Sequence, residues 1–132
     1  MHRFRGTRIV YDLGNGYVLK LAKSKKGIKC NRMEADLYRS TKESLKRHLA
    51  EIKSHDPSYR WVMMKKYSTA FPNRPAYRRK LKHLVERLRA SGITPSKGVG
   101  RYNTPYAPNL RLKRNKEIVV IDYGGFHYTL DR

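Results

Sequence analysis

The sequence predicts an α+β fold of antiparallel β-hairpins and amphipathic helices, and three observations carry that reading. Asn15-Gly16 lies between two runs rich in β-forming residues, which marks a hairpin over residues 8–22. Tyr77, Leu81, Leu84, Val85 and Leu88 follow spacings of 4, 3, 1 and 3 and so share one helical face. Ile118-Val119-Val120-Ile121 reads as a buried strand that returns from Asn109–Lys113 through a turn at Arg114-Asn115-Lys116. The 132 residues, 39% apolar and 11% aromatic, suffice for a single domain with a modest core.

The elements can be justified in order. In the first hairpin, strand alternation puts Val18, Lys20 and Ala22 on one face and Tyr17, Leu19 and Leu21 on the other. Lys20 therefore sits among small apolar neighbours, an unusual place for an ammonium. Lys23, Lys25, Lys26 and Lys29, with Gly27 among them, read as a solvated basic loop. Asn31 then reads as a helix cap, with Glu34 at its third position and Met33, Leu37 and Tyr38 as the apolar stripe. Cys30 reads as a structural cysteine at that helix start. Leu45, Leu49 and Ile52 predict a second helical piece, His55-Asp56-Pro57-Ser58 a turn, and Arg60 to Tyr67 a strand. Residues 68–76, with Pro72 and Pro75, read as a linker. The later helix carries Arg78, Arg79, Lys80 and Lys82 mostly off its apolar face and ends at Gly92. Residues 92–108 read as a loop that contains the basic-aromatic pair Arg101-Tyr102. The closing hairpin carries Arg111, Lys113 and Arg114 and runs into Asp122-Tyr123-Gly124.

Taken in this order, the chain resembles the protein-kinase-like fold in a very short, degenerate, phage-type form, over roughly residues 8–126. Gly14-Asn15-Gly16 is similar to a phosphate-covering loop, and Val18-Leu19-Lys20 to the strand whose lysine pairs with phosphates. Glu34 matches the helix glutamate that holds that lysine, and Met63 to Tyr67 the hinge. Asn109-Leu110-Arg111-Leu112 is similar to the end of a catalytic loop, and Asp122-Tyr123-Gly124 to the metal-holding Asp-Phe-Gly motif. The resemblance implies an antiparallel N-lobe over about residues 8–67 with one helix, and a truncated helical and hairpin C-lobe over about residues 77–126. It also implies ATP with Mg²⁺ as the cofactor, held by Gly14, Gly16, Lys20, Glu34, Asn109 and Asp122, with Asn109 and Asp122 as the metal's oxygen ligands. The alternative is that Lys20, Glu34, Asn109 and Asp122 form a buried polar network inherited from the fold.

The departures from that family's pattern bear on catalysis. Thr104 stands five residues before Asn109, where the family has the aspartate that orients the nucleophile. No Asp or Glu occurs between Glu86 and Glu117, so no small shift of alignment restores it. Only eight residues follow Gly124 in this sequence, so no activation segment or substrate-binding platform is expected from them. A conventional protein kinase is therefore not expected, and a pseudokinase-like scaffold is.

Charge points the same way. The chain has 31 Lys and Arg against 10 Asp and Glu, a formal net charge of +21, spread along its whole length. Self-repulsion of this size costs stability, and a polyanionic partner relieves it. The first expected function is a non-catalytic binding protein that engages an acidic protein or nucleoprotein and blocks host machinery. The alternatives are sequence-independent DNA or RNA binding, and a minimal ATP-dependent phosphotransferase with a carboxylate supplied from elsewhere. The cationic candidates are Lys23, Lys25, Lys26, Lys29, Arg78, Arg79, Lys80, Lys82, Arg101, Arg111, Lys113 and Arg114, with Tyr102 as a base-stacking ring. Five scattered His residues and one Cys offer no metal-ligand spacing. No apolar run approaches the ~20 residues of a membrane span, and no apolar signal segment follows the basic N-terminus. A cytoplasmic location is the expectation, in keeping with the lone Cys30.

Overall fold

A computed structural model describes residues 2–95, 100–101 and 104–128 of the chain. Its first part is a five-stranded antiparallel sheet in the order β1-β2-β3-β5-β4. The strands are β1 (His2–Arg5), β2 (Arg8–Asp12), β3 (Tyr17–Ala22), β4 (Ile52–His55) and β5 (Trp61–Lys65). The hairpin read from Asn15-Gly16 joins β2 to β3, with Val10 opposite Lys20 and Asp12 opposite Val18. Its turn is a longer loop than the dipeptide implies, and the left-handed residues are Gly14 (φ 77°) and Gly16 (φ 91°). Asn15 instead accepts a hydrogen bond from the Tyr17 amide through its side-chain oxygen.

Helix α1 (Lys25–Ser40) lies on this sheet and begins earlier than its sequence suggests. Ser24, not Asn31, is the N-cap, and its hydroxyl accepts from the Gly27 amide. Lys25, Lys26 and Lys29 are therefore helical rather than part of a basic loop. Asn31 sits inside the helix, where its side chain donates to the Tyr59 carbonyl at 2.8 Å. The expected second helix is one turn, α2 (Glu43–Lys46), and Ile52 belongs to β4.

The remaining chain builds against α1 and the sheet. The stretch read as a linker contains β6 (Thr69–Ala70) and the buried Phe71. Helix α3 (Pro75–Ala90) follows, with Pro75 at its start and Leu81, Leu84 and Leu88 buried on the face the spacing predicts. The expected loop over 92–108 holds three two-residue strands, β7 (Ile93–Thr94), β8 (Gly100–Arg101) and β9 (Thr104–Pro105), and a 3-10 turn at Ala107–Asn109. The closing hairpin is β10 (Leu110–Leu112) and β11 (Ile118–Val120), with β6 on its other edge, and β12 (His127–Tyr128) pairs with β7. One hydrophobic core joins the parts, from Leu37 and Met64 through Leu49 and Val120 to Leu81, Leu88, Tyr123 and Phe126. The Tyr123 hydroxyl donates to the Ala50 carbonyl at 2.8 Å within it. Tyr102 lies outside the described residues. Among the described residues, no helix is long and apolar enough to cross a membrane.

Candidate functional site

A cleft of about 640 Å³ opens between the sheet and the β10–β11 hairpin. Register explains its composition. Residues directly opposite in an antiparallel pair share a face. Arg8, Val10 and Asp12 of β2 therefore join Val18 and Lys20 of β3, and all five line the cleft. Met64 and Tyr67 line it from the end of β5, and Asn109, Arg111, Ile121 and Asp122 from the hairpin side. The hairpin brings Asn109 and Asp122 together because Leu110 pairs with Val120, so both residues leave it at the same end.

The cleft's inner wall is built around one carboxylate. Glu34 is fully buried, on the face of α1 turned to the sheet. The Lys20 ammonium donates to it at 3.0 Å and 3.3 Å, and to the Ile121 carbonyl at 2.6 Å. The Arg8 guanidinium forks onto the same carboxylate at 2.8 Å and 3.3 Å. The Tyr123 amide donates to it at 3.0 Å. Arg8 also donates to the Asn31 side chain at 2.9 Å and to Asp122 at 3.0 Å. Two cations and two carboxylates thus close a neutral network, which is what permits Arg8, Lys20 and Glu34 to stay charged while buried, with Asp122 at its more exposed edge.

The titration of these groups follows from that geometry. Burial alone pushes the Glu34 carboxyl up, but Arg8 and Lys20 reverse this and hold it at about 2. Burial pulls the Lys20 ammonium below its ordinary range, against the attraction of Glu34. Burial also opposes the charged form of Arg8, and Glu34 outweighs it. A carboxylate whose pKa falls on folding contributes stability above its unfolded value. That contribution is lost as pH drops from near 4.5 toward about 2. The loss should be about 3 kcal/mol across this window. Urea titrations at stepped pH check it, and a stability flat between pH 5 and pH 2.5, on the order of that window, contradicts it.

Sequence reasoning brings Lys20, Glu34, Asn109 and Asp122 to one place, and the structure puts all four at the cleft or its inner wall. Gly14 and Gly16 are exposed at the tip of the β2–β3 hairpin and do not line the cleft, although the Gly16 carbonyl accepts from the amide of the lining residue Lys66, while Gly6 and Thr7 of the β1–β2 turn do line it. Arg8 was missed. Pairing across Asn15-Gly16 signals that Arg8 and Val10 share a face with Lys20, but not that Arg8 is buried.

The cationic candidates fall into separate groups. Lys23, Lys25, Lys26 and Lys29 are exposed around the start of α1, and Arg79, Lys80 and Lys82 are exposed on α3. Arg78 is half-buried and donates to the Asn73 side chain at 2.9 Å, and Lys80 stacks its ammonium over the Tyr77 ring. Lys113 is half-buried, which lowers its pKa, and Arg114 is exposed in the hairpin turn. Arg101 contributes its backbone to β8. Among the described side chains of the set, Arg111 is the one that reaches the cleft, held by the carbonyls of Pro108 and Leu110.

No family model matches the chain, and no curated protein matches it. Among solved structures, it is similar to that described as the co-crystal structure of WbdD and kinase inhibitor LY294002. The likeness has a TM-score of 0.65 at 13% sequence identity and covers 98% of this chain. It spans 33% of the WbdD chain, so this sequence corresponds to about a third of that protein's length. What the two share is the fold, a kinase-like α+β arrangement.

Proposed function

We propose that the chain is a kinase-like nucleotide-binding module that does not carry out conventional phosphoryl transfer. The observation that carries this reading is that Lys20, backed by Glu34, lines one cleft together with Asn109 and Asp122. The cleft's lining mixes apolar and cationic groups. Val10, Val18, Met64 and Tyr67 supply apolar surface suited to a base, and the planar Arg111 side chain can stack on one. Lys20 and Lys65 supply positive charge toward phosphates, while the Lys66 ammonium is paired with the Asp12 carboxylate. Against transfer stands the stretch between Glu86 and Glu117, which has no carboxylate to orient a nucleophile.

The test is a thermal-shift series with ATP, run in EDTA and in Mg²⁺, for the wild type and Lys20→Met. At a hundredfold excess over Kd, ATP should stabilise the wild type by ~2.7 kcal/mol, a rise in Tm of roughly 10 °C. Lys20→Met should lose most of that rise while Glu34 keeps Arg8 as its partner. Absence of any shift with millimolar ATP under both conditions rejects a nucleotide site.

A second reading concerns the exterior. Thirty-one cations cannot be neutralised by 10 acids within the chain, and neither long helix has an acid in its first turn. We propose that these surfaces meet a polyanionic partner, an acidic protein or a nucleic acid. Affinity for duplex or single-stranded DNA that does not fall steeply between low and physiological salt excludes the nucleic-acid form.

A further inference from the structure

We propose that this cleft binds its phosphate-bearing ligand without a divalent metal ion, because Arg8 already holds the place beside Asp122 that a metal would need. The inference rests on the nucleotide reading above and specifies its chemistry.

Asp122 and Asn109 are the residues that the fold resemblance offers to Mg²⁺. Mg²⁺ demands close, near-octahedral oxygen ligation and is usually anchored by one or two carboxylates. Of the two residues, only Asp122 carries a negative charge, and a guanidinium nitrogen of Arg8 sits 3.0 Å from its Oδ1. That guanidinium is not a mobile surface group. Arg8 is 6% exposed, and its two terminal nitrogens are committed to Glu34, Asn31 and Asp122. A divalent ion at Asp122 would therefore sit a few ångströms from a fixed positive charge and share its only carboxylate with it. Nor is there a substitute nearby: among the described residues, no three His, Cys, Asp or Glu side chains come together to hold a metal ion. The donor set does not fit the metal.

The network offers the ligand a different kind of neutralisation. Arg8 cancels Asp122, so the carboxylate that would otherwise repel a phosphate is silenced without a metal. Lys20 has three N–H donors, and Glu34 and Ile121 take at least two, which leaves at most one for a phosphate oxygen. Lys65 also lines the cleft, and Asp12, the cleft's other carboxylate, is likewise neutralised by a cation, the Lys66 ammonium. Free ATP, which bears more negative charge than its Mg²⁺ complex, is then the preferred form.

The experiment measures ATP binding to the full chain by calorimetry in EDTA and in excess Mg²⁺, for the wild type and Arg8→Lys. Lysine keeps a cation for Glu34 but lacks the fork that also reaches Asp122. Wild-type affinity in EDTA should equal or exceed that in Mg²⁺, and Arg8→Lys should reverse the order by several-fold. Circular dichroism establishes that the variant is folded. Wild-type binding that appears only with Mg²⁺ overturns this inference and leaves the nucleotide site standing. Binding in neither condition overturns both.

Discussion

Glu34→Gln should cost this protein about 3–5 kcal/mol, the cost of leaving buried charge without its partner. The substitution changes almost no volume, so the loss is electrostatic. Two cations, Arg8 and Lys20, share this one carboxylate, which is 0% exposed. Glutamine keeps one acceptor oxygen but replaces the other with an NH₂ group, which faces donors of the same kind. Asp122 remains as the only counter-charge, and its side chain is 37% exposed and reached by Arg8 alone of the two. The natural control lies two residues along the same helix. Asp36 pairs with Arg39 at 2.8 Å and Arg32 at 3.6 Å, but those arginines are about two-thirds exposed. Asp36→Asn should cost less than ~1 kcal/mol, as surface pairs do. Urea unfolding followed through Trp61 fluorescence compares the two. Equal costs would mean that the buried network contributes no more than a surface pair. Glu34→Gln should also flatten the acid limb of the stability curve, because the group that takes up the proton is gone.

That contrast bears on what the sequence makes legible. Lys20 can be picked out because it breaks a local pattern, an ammonium on a small apolar strand face, whereas Glu34 reads locally as a helix-start residue and stands out only through the fold resemblance. Asp122 and Asn109 are visible through the hairpin that separates them. Arg8 breaks no pattern, since a lone arginine at a strand start is an ordinary surface residue. Its burial comes only from long-range packing, 26 residues from Glu34 and 114 from Asp122. The same holds for β6, where two residues pair only because β10 presents an open edge. The turn at Gly14-Asn15-Gly16 is legible as a turn but not as a site, since its two glycines are exposed and do not line the cleft. The start of α1 was hidden for a different reason. Four lysines, a glycine in the first turn and no acid there all argue locally against a helix, and tertiary contact overrides them.

Gly27→Ala follows from that contact and should destabilise the fold by about 2–3 kcal/mol. On an isolated helix the same change would stabilise by nearly ~1 kcal/mol, because alanine is the better helix former. Here a Cβ at position 27 would lie 2.3 Å from the Thr7 carbonyl oxygen and 3.1 Å from the Ala22 Cα and Cβ. The closest of these neighbours is backbone, so no side chain can swing away, and the helix itself must move. Its displacement would not stay local. Gly27, Asn31 and Glu34 lie at spacings of four and three, so all three are buried on one face of α1. Lifting the first of them off the β1–β2 turn draws Glu34 away from Lys20 and Arg8, whose hydrogen bonds have only a few tenths of an ångström to give. Gly27→Ala should therefore lower ATP affinity as well as stability, although residue 27 does not line the cleft. Gly27→Ser makes the steric origin testable, since it adds the same Cβ without alanine's helix propensity. It should be at least as damaging. A Gly27→Ala variant as stable as the wild type would show that the helix can shift freely over the sheet. The tight seating that places Glu34 between its two cations would then not depend on this glycine.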